Sequence, residues 1–201
     1  MPKEIPIDHP SLDLNKTLDY VFSSLEKGVN GNKHDFHLLV LATIDENNEP
    51  QNRNVVLRKV DMFNALVRFH TDKRSNKIND IKHNETISLL GYDKVDKLQI
   101  RLTAKAKIEE SEKALYDVWS KMRPMSRECY RVKDNPGKII NSREDVTFQS
   151  EGEKKLNGFE NFTIINCHIN TIETLFLHSA GHIRAKYINK NNKFYGNWLI
   201  P

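Results

Sequence analysis

The sequence has few cysteines and no long apolar run. Its two cysteines, Cys129 and Cys167, form no Cys-x-x-Cys pair. We therefore expect each to be a buried or incidental thiol, and neither to take part in a disulfide or a metal site. The longest apolar stretch, 38–42 with Ile44 beyond it, is far shorter than the roughly 20 residues of a membrane helix. We therefore predict a soluble protein without a membrane partner.

Several other sequence signals are missing. Residues 1–12 contain charged residues and prolines but no apolar core, which is typical of neither a signal peptide nor a membrane anchor. A cytoplasmic location is the resulting expectation. A glycine-rich phosphate loop and a Ser-His-Asp spacing are also lacking, which argues against P-loop and hydrolase chemistry. The 31 Lys and Arg residues barely exceed the 27 Asp and Glu residues and are scattered, so no nucleic-acid partner is expected.

The length and composition are those of a globular domain. Hydrophobic residues make up 38% of the chain and charged residues 29%. A chain of 201 residues is long enough for one well-packed domain, and we predict a single domain over 1–201. Within it we expect an N-terminal helical segment at 1–34 and an irregular segment at 123–161 that covers a pocket. The charged stretch around 151–155 is predicted to be mobile.

The hydrophobic pattern predicts a mostly antiparallel β structure with flanking helices. Apolar residues recur at helical spacing over 14–29, and shorter helical patterns occupy 75–84 and 111–122. Strand patterns occur at 36–44, 50–60, 65–71, 86–92, 98–108, 162–169, 171–178, 182–188 and 194–200. Neighbouring strands are joined by short turns, whereas parallel pairing needs a crossover of a dozen residues or more. The predicted fold is therefore a closed or split antiparallel barrel, Greek-key-like, with helices at its edges.

Three polar segments interrupt this pattern. They read RNVVLR at 53–58, HTDKRSNK at 70–77 and QIR at 99–101. Strand alternation places Arg53 and Arg58 on opposite faces, so they cannot easily clamp one group. The second segment joins a strand to a helix N-terminus, where free backbone N–H groups and the helix dipole favour an anion. Because Arg74, Ser75 and Lys77 add cationic and hydroxyl donors, this segment is a candidate phosphate site.

Together, these segments resemble a known family. Residues 50–101 are similar to the FMN-binding half of the pyridoxamine 5′-phosphate oxidase superfamily. In that superfamily an R-x-V-x-L-[KR] strand, a [YFH]-T-[DN]-x-x-S-x-K turn and a later Gln share one flavin. Weaker similarity continues through 111–136 and at 198–201. The resemblance implies the FMN-binding split-barrel fold and a homodimer that binds two flavins between its subunits.

The resemblance also implies a set of flavin contacts. Arg53 and Lys77 would hold the FMN phosphate, with Ser75 and Arg74 assisting at the helix start. The backbone of 55–57 would line the flavin ring, and Arg58 would lie near its pyrimidine end or near the substrate. The other contacts implied are Asn54, Val55, Val56, Leu57, His70, Thr71 and Gln99.

Departures from the family pattern concern the substrate. Where the family has Arg-x-His, this chain reads His182-Ile183-Arg184, and Arg123-Pro124-Met125-Ser126 is one residue shorter than the family's Arg-Pro-x-x-Ser. The chain ends Trp-Leu-Ile-Pro instead of Arg-Leu-Ala-Pro, and the region of the flavin-stacking Trp reads Leu-Phe-Leu at 175–177. These departures argue against pyridoxamine phosphate as the substrate. The candidate substrate residues are Arg123, Ser126, His182 and Arg184.

Several alternatives remain open at this point. The histidines at 168, 178 and 182 suggest a metal or haem, but no carboxylate accompanies them and a turn would have to bring them together, so we predict no metal site. The leading hypothesis is an FMN-dependent oxidoreductase that acts on an unidentified small molecule, with no catalytic residue assigned. The alternatives are a non-catalytic flavin carrier, a haem-binding split barrel, and a deazaflavin in place of FMN.

Overall fold

The structure is a computed structural model that describes residues 5–149 and 157–201. The charged stretch predicted to be mobile around 151–155 lies outside the described residues, as do the first four residues of the predicted N-terminal segment. No helix in the described parts of the chain is long and apolar enough to cross a membrane.

Strands dominate the described residues. The strands are β1 (Leu38–Ile44), β2 (Pro50–Asp61), β3 (Leu66–Asp72), β4 (Thr86–Asp93), β5 (Leu98–Ile108), β6 (Phe162–Phe176), β7 (Ile183–Lys190) and β8 (Lys193–Leu199). The α-helices are α1 (Leu14–Asn30), α2 (Asn76–His83), α3 (Glu112–Trp119) and α4 (Pro124–Arg127). Short 3-10 turns occupy Pro10–Leu12, Asp35–His37, Glu128–Arg131, Arg143–Asp145 and Phe159–Asn161.

The strands close into an antiparallel barrel. Their order in the sheet is β3-β2-β1-β4-β5-β6-β7-β8, and an additional pairing of β3 with β6 closes the first six strands. Strands β7 and β8 extend from the far half of β6 and do not take part in closure. The predicted fold class, a mainly antiparallel split β-barrel with flanking helices, is confirmed.

The prediction was wrong about β6. Two strands were expected at 162–169 and 171–178, whereas the structure has one strand of 15 residues. Thr103 pairs with Thr171 and Ala104 with Ile169, so Asn170 is an extra residue in the ladder. Such a bulge kinks a strand without ending it. This single long strand can therefore pair with β3 along its first half and with β7 along its second.

Two element ends also differ from the prediction. The expected strand start at Phe36 is a 3-10 turn, because the His34 ring accepts the backbone N–H of Phe36. The expected helix at 111–122 ends at Trp119, which is buried at 1% exposure. The remaining helices and strands agree with the sequence patterns to within a few residues.

The core lies inside the barrel and beneath α1. Alternate residues of β5 point inward and are fully buried, namely Leu98, Ile100, Leu102, Ala104 and Ala106. The apolar face of α1 adds Leu18, Val21, Phe22 and Leu25 to the same cluster. Each such aliphatic side chain stabilises the fold by roughly 1.5–3 kcal/mol when fully buried. A Cβ on Gly28 would lie 2.6 Å from the Phe36 carbonyl carbon, so only glycine allows α1 to approach this closely.

A second apolar cluster lies outside the barrel. Trp119, Tyr130, Phe162 and Ile164 are buried together, with ring centroids between 5.3 and 5.7 Å apart for the pairs among the three aromatic residues. Trp119 and Tyr130 lie in or near the irregular segment, whereas Phe162 and Ile164 belong to β6. The cluster therefore attaches the start of that segment to the barrel wall. Of the two free cysteines, Cys167 is buried in the core and Cys129 is exposed.

Candidate functional site

The first part of the candidate site is a cluster where β3 meets α2. Lys77 Nζ donates to Thr71 Oγ1 and to Ser75 Oγ, both at 3.0 Å. The Ser75 hydroxyl donates to the Asp72 carbonyl at 2.7 Å. Thr71 and Ser75 are buried, and the ammonium group is partly shielded from solvent. The cluster is a cation surrounded by hydroxyl groups, which is the donor set that a phosphate monoester needs.

The helix start differs from the simple capping that the sequence suggested. Ser75 occupies the N-cap position of α2, but its side chain makes no capping bond to the helix backbone. Its hydroxyl serves the Asp72 carbonyl and Lys77 instead. The first turn of α2 therefore lacks the side-chain acceptor that normally occupies a helix N-terminus, which leaves this end suited to an outside anion.

Arg53 forms the other side of this region. Its Nη2 donates to Asp80 Oδ2 at 3.1 Å, and its Nη1 donates to Thr43 Oγ1 and to the Gln51 carbonyl. Asp80 lies on α2, one turn beyond Lys77. Both cationic residues that the resemblance assigns to the phosphate are therefore attached to the same short helix.

The charges of Arg53 and Lys77 influence one another. Burial lowers the pKa of Lys77 below its ordinary value of 10.5, and the nearby Arg53 guanidinium lowers it further. Asp72 and Asp80 oppose this change only in part. Two cations held near each other in a partly buried place repel, and an anion between them relieves the repulsion.

Arg74 is committed to other partners. Its Nε and Nη2 donate to the Asp72 carboxylate at 3.0 and 2.6 Å. The same guanidinium donates to the carbonyls of Val132 and Lys133 at 3.0 and 2.9 Å. These bonds tie the irregular segment to the start of α2. The assisting role at the phosphate that the resemblance implies for Arg74 stays a prediction, and the observed contacts give it a structural role.

The second part of the candidate site is a cavity on the other face of β2. A cavity of about 550 Å³ is lined by Arg58, His70, Arg123 and Ser126, with Lys121 and His37 among the other lining residues. Two residues predicted to contact the flavin therefore line the same cavity as two residues predicted to contact the substrate. Arg53 faces the α2 cluster instead, so the two arginines lie on opposite sides of the strand, as its alternation predicts.

The electrostatics of this cavity are cationic. Arg58, Lys121 and Arg123 line it, and no Asp or Glu among the described residues does so. His70 is mostly buried, and burial lowers its pKa to about 3, with Arg58 and Arg68 adding to the effect. Its Nδ1 is buried and has no hydrogen-bond partner among the described residues. At neutral pH the cavity therefore presents three cations and the uncharged imidazole of His70.

The remaining predicted residues lie on the outer face of the sheet. Gln99 is opposite Tyr92 on β4 and Leu175 on β6, away from the Lys77 cluster. Arg184 donates to Glu173 Oε1 at 3.0 Å from its Nε, and Arg101 donates to Glu173 Oε2 at 2.7 Å. The substrate roles predicted for Arg184 and His182 stay predictions, and within one chain neither residue lines the cavity that contains Arg123.

Asn54 and Val56 also belong to the outer face. Val56 is opposite Leu38, and Asn54 is opposite Val40. Val55 and Leu57 alternate with them and are buried in the core. The backbone of this part of β2 is therefore accessible from the outer side only.

The histidines do not form a metal site in the described residues, where no group of three or more His, Cys, Asp or Glu side chains could hold an ion. His178 lies against His9, with ring centroids 4.9 Å apart. His168 lies on β6 opposite Leu66, whereas His178 follows the end of that strand.

Four residues of the α2 cluster and of the cavity were not predicted from the sequence. Asp80 and Thr43 hold Arg53, and Lys121 and His37 line the cavity. Asp80 had a usable signal, because an Asp on the inward face of a short amphipathic helix needs a buried cationic or hydroxyl partner. The other three have no such signal.

Comparison with known proteins indicates the type of domain to which the barrel belongs. Residues 20–110 match the family described as pyridoxamine 5′-phosphate oxidase, FMN-binding domain. The chain has a pyridoxamine 5′-phosphate oxidase-like split barrel. The matched residues include β1 to β5 and α2, and therefore all three polar segments. No curated protein matches the sequence.

Solved structures with this split barrel cover nearly the whole chain. A pyridoxamine 5′-phosphate oxidase-related, FMN-binding protein from Nostoc punctiforme has a TM-score of 0.74 at 20% identity, over 91% of this chain and 96% of its own. PhzG from Burkholderia lata 383, crystallised with tetrahydrophenazine-1-carboxylic acid, has a TM-score of 0.73 at 16% identity over 100% of both chains. At these identities the likeness shows a shared fold.

Proposed function

We propose that this chain binds FMN and acts as a flavin-dependent oxidoreductase on a small anionic molecule, as a homodimer. The observation that carries the proposal is the Lys77 cluster. It places an ammonium group and two hydroxyl groups at the start of α2, near the Arg53 guanidinium that contacts Asp80 further along the helix. All of these groups lie within the residues that match an FMN-binding domain. The proposal explains why two cations lie together in a partly buried place.

The donor set fits a phosphate group. Lys77 supplies a point charge, and Arg53 supplies a planar fork. Each hydrogen bond between a charged group and a phosphate oxygen contributes roughly 1.5–3 kcal/mol. A micromolar dissociation constant corresponds to about −8 kcal/mol. A few such bonds, together with burial of a flavin ring, are sufficient for micromolar binding.

The bound flavin would supply the redox chemistry, because its ring accepts or donates a hydride. The protein's part is to orient that ring and to shape the space beside it. Arg58 and His70 lie at the boundary between the residues assigned to flavin and those assigned to substrate, since both line the cavity with Arg123 and Ser126. A substrate in this cavity would contact cations and an uncharged imidazole.

The cavity favours an anionic substrate. Arg58, Lys121 and Arg123 carry three positive charges around about 550 Å³, with no described carboxylate to balance them. An organic carboxylate would meet the charge requirement. The carboxylic acid bound by PhzG belongs to this chemical class.

A second copy of the chain would complete the site. Leu38, Val40, Leu90 and Tyr92 form an exposed apolar strip on the outer face of β1 and β4, each at least 37% exposed. Gln99 is opposite Tyr92 and therefore borders this strip, as do Asn54 and Val56 on the other side. If a second copy packs on the strip, predicted flavin residues from both copies meet at the interface. This arrangement accounts for the distance of Gln99 from the Lys77 cluster in one chain.

The test starts with the visible spectrum of freshly purified protein, followed by mass identification of the molecule released on denaturation. FMN, with flavin absorption bands, is the expected result. A haem spectrum or the mass of a deazaflavin would contradict FMN as the cofactor.

A second measurement separates enzyme from carrier. FMN-loaded protein should be reduced by NADH or NADPH, or reoxidised by an organic acceptor, much faster than free FMN. No acceleration across a broad panel of donors and acceptors would favour a flavin carrier.

A further inference from the structure

The Arg53 guanidinium is held through both of its terminal nitrogens. Nη1 donates to Thr43 Oγ1 and to the Gln51 carbonyl, and Nη2 donates to Asp80 Oδ2 at 3.1 Å. Arginine has five N–H donors in one plane. Three of them are used by these contacts, and the three acceptors come from β1, β2 and α2.

The Nε–Nη2 edge remains available. The unused donors are the Nε–H and the second N–H of Nη2, for which the described residues provide no hydrogen-bond acceptor. An arginine can use its Nε–H together with one N–H of Nη2 as a fork that binds two oxygens of one phosphate or carboxylate. The pattern of contacts therefore selects which edge can meet a ligand.

Asp80 is itself held firmly. It is 5% exposed, and its Oδ2 accepts the Thr43 hydroxyl at 2.6 Å as well as the Arg53 N–H. A buried carboxylate with two donors has little freedom to move. Because it is on the same helix as Lys77, its position fixes Arg53 relative to Lys77.

We infer that Asp80 is a positioning residue of the phosphate site, which acts with Thr43 to hold Arg53 so that its Nε–Nη2 edge faces the phosphate of the flavin. The inference rests on the proposed FMN site and adds a residue that the family motif does not contain. Asp80 does not contact the phosphate in this arrangement. Its own negative charge would repel a phosphate, so a direct effect and a positioning effect have opposite signs.

The experiment compares the affinities for FMN and for riboflavin, which differ only by the phosphate. The ratio of the two dissociation constants, measured by quenching of flavin fluorescence, isolates the phosphate site from ring binding and from general stability. Asp80→Ala is expected to lower the preference for FMN about tenfold, which corresponds to about 1.4 kcal/mol. Asp80→Asn should keep most of the preference, because its amide oxygen can still accept from Arg53 and Thr43.

A double-mutant cycle tests whether Asp80 acts through Arg53. In the Arg53→Ala background, Asp80→Ala should cause no further loss of FMN preference. Thr43→Val removes one of the anchors, and a severalfold loss is expected from it even if Asp80→Ala does not fold. Asp117→Ala changes an exposed carboxylate on α3 and should leave the preference unchanged.

The outcomes are distinguishable. If the wild-type protein binds FMN and riboflavin equally, the proposed phosphate site is wrong and the inference fails with it. If Arg53→Ala abolishes the preference while Asp80→Ala and Thr43→Val leave it unchanged or raise it, the phosphate site stands and only the positioning role is overturned. Additive losses in the double mutant would also overturn that role.

Discussion

Lys77 Nζ lies 3.0 Å from both Thr71 Oγ1 and Ser75 Oγ, which places its charge between the end of β3 and the residue preceding α2. The lysine thereby joins the strand and the helix across the turn that follows Asp72. The Ser75 hydroxyl donates to the Asp72 carbonyl, whereas the Thr71 hydroxyl can also donate to a ligand. The contact therefore prepares a binding place as well as linking two elements.

The FMN affinity should therefore depend on pH through Lys77. Burial and Arg53 lower the pKa of Lys77 from 10.5, so its charge is lost at a lower pH than for an exposed lysine. Affinity should be full below that lowered pKa and should fall as pH rises through it. Lys77→Arg stays charged and should lack this decline, which fluorescence titrations between pH 7 and 10 would show. Equal pH profiles for the two proteins would contradict the assignment of Lys77.

Arg53→Ala should weaken FMN binding by about 2 to 4 kcal/mol, because the phosphate loses a charged partner and the Asp80 carboxylate loses its cationic one. Isothermal titration calorimetry measures the change directly. Arg143→Ala is a matched control, since the Arg143 side chain is almost fully exposed and far along the irregular segment. An unchanged dissociation constant would show that the phosphate binds elsewhere.

His70 should make the folded protein less stable in mild acid. Its pKa of about 3 in the folded protein is lowered from 6.5. Between these values the unfolded chain binds a proton that the folded protein does not, so stability is full above about pH 6.5 and falls as pH decreases. The free energy of unfolding should drop by about 2 kcal/mol at pH 5 from this group. In urea titrations at pH 7 and pH 5, His70→Gln should remove that part of the decline; an identical decline in the variant would be inconsistent with a neutral buried His70.

The apolar strip should hold two copies together. Leu90→Arg places a charge in the middle of Leu38, Val40 and Tyr92 and should convert a dimer to monomers at micromolar concentration. Light scattering gives the mass. Phe63→Arg, at a side chain that is 90% exposed on the β2–β3 turn, should leave the dimer intact. A monomeric wild-type protein would contradict the prediction that the strip is a dimer interface.

The cavity should bind anions through Arg58 and Arg123. In FMN-loaded protein, an aromatic carboxylate such as benzoate should perturb the flavin absorption spectrum on binding beside the ring. Arg58→Ala and Arg123→Ala should each weaken that binding about tenfold, which corresponds to about 1.4 kcal/mol. Benzoate binding of the same strength in both variants would mean that the anion occupies another place.

Much of the fold could be predicted because the barrel strands alternate clearly. The run Leu98 to Ile108 places its apolar residues on every second position, and the structure has a strand with those bounds. The continuity of β6 could not be predicted, because Asn170 breaks the alternation in the same way as a turn would. Only the pairing of β6 with three other strands shows that the break is a bulge.

The candidate site was predictable in its motif residues and not in their partners. Family resemblance predicts that Arg53 and Lys77 bind one phosphate. In the structure Arg53 contacts Asp80 on α2, and Lys77, itself on α2, contacts Ser75 just before the helix. The Arg53 to Asp80 contact spans 27 positions and depends on how α2 docks against β1 and β2. The division of the candidate site between the two faces of β2 likewise depends on how the strands assemble into the sheet.

The length of β6 has a consequence for local unfolding. Its first half closes the barrel against β3, while its second half carries the β7–β8 hairpin, which in the described parts of the chain pairs with no strand besides β6. Opening of the hairpin would expose Ala185 and Tyr187 of the core and would leave the ring of six strands paired. In native-state hydrogen exchange, amides of β7 and β8 should exchange through a smaller opening reaction, while those joining β6 to β3 and β5 should exchange only on global unfolding.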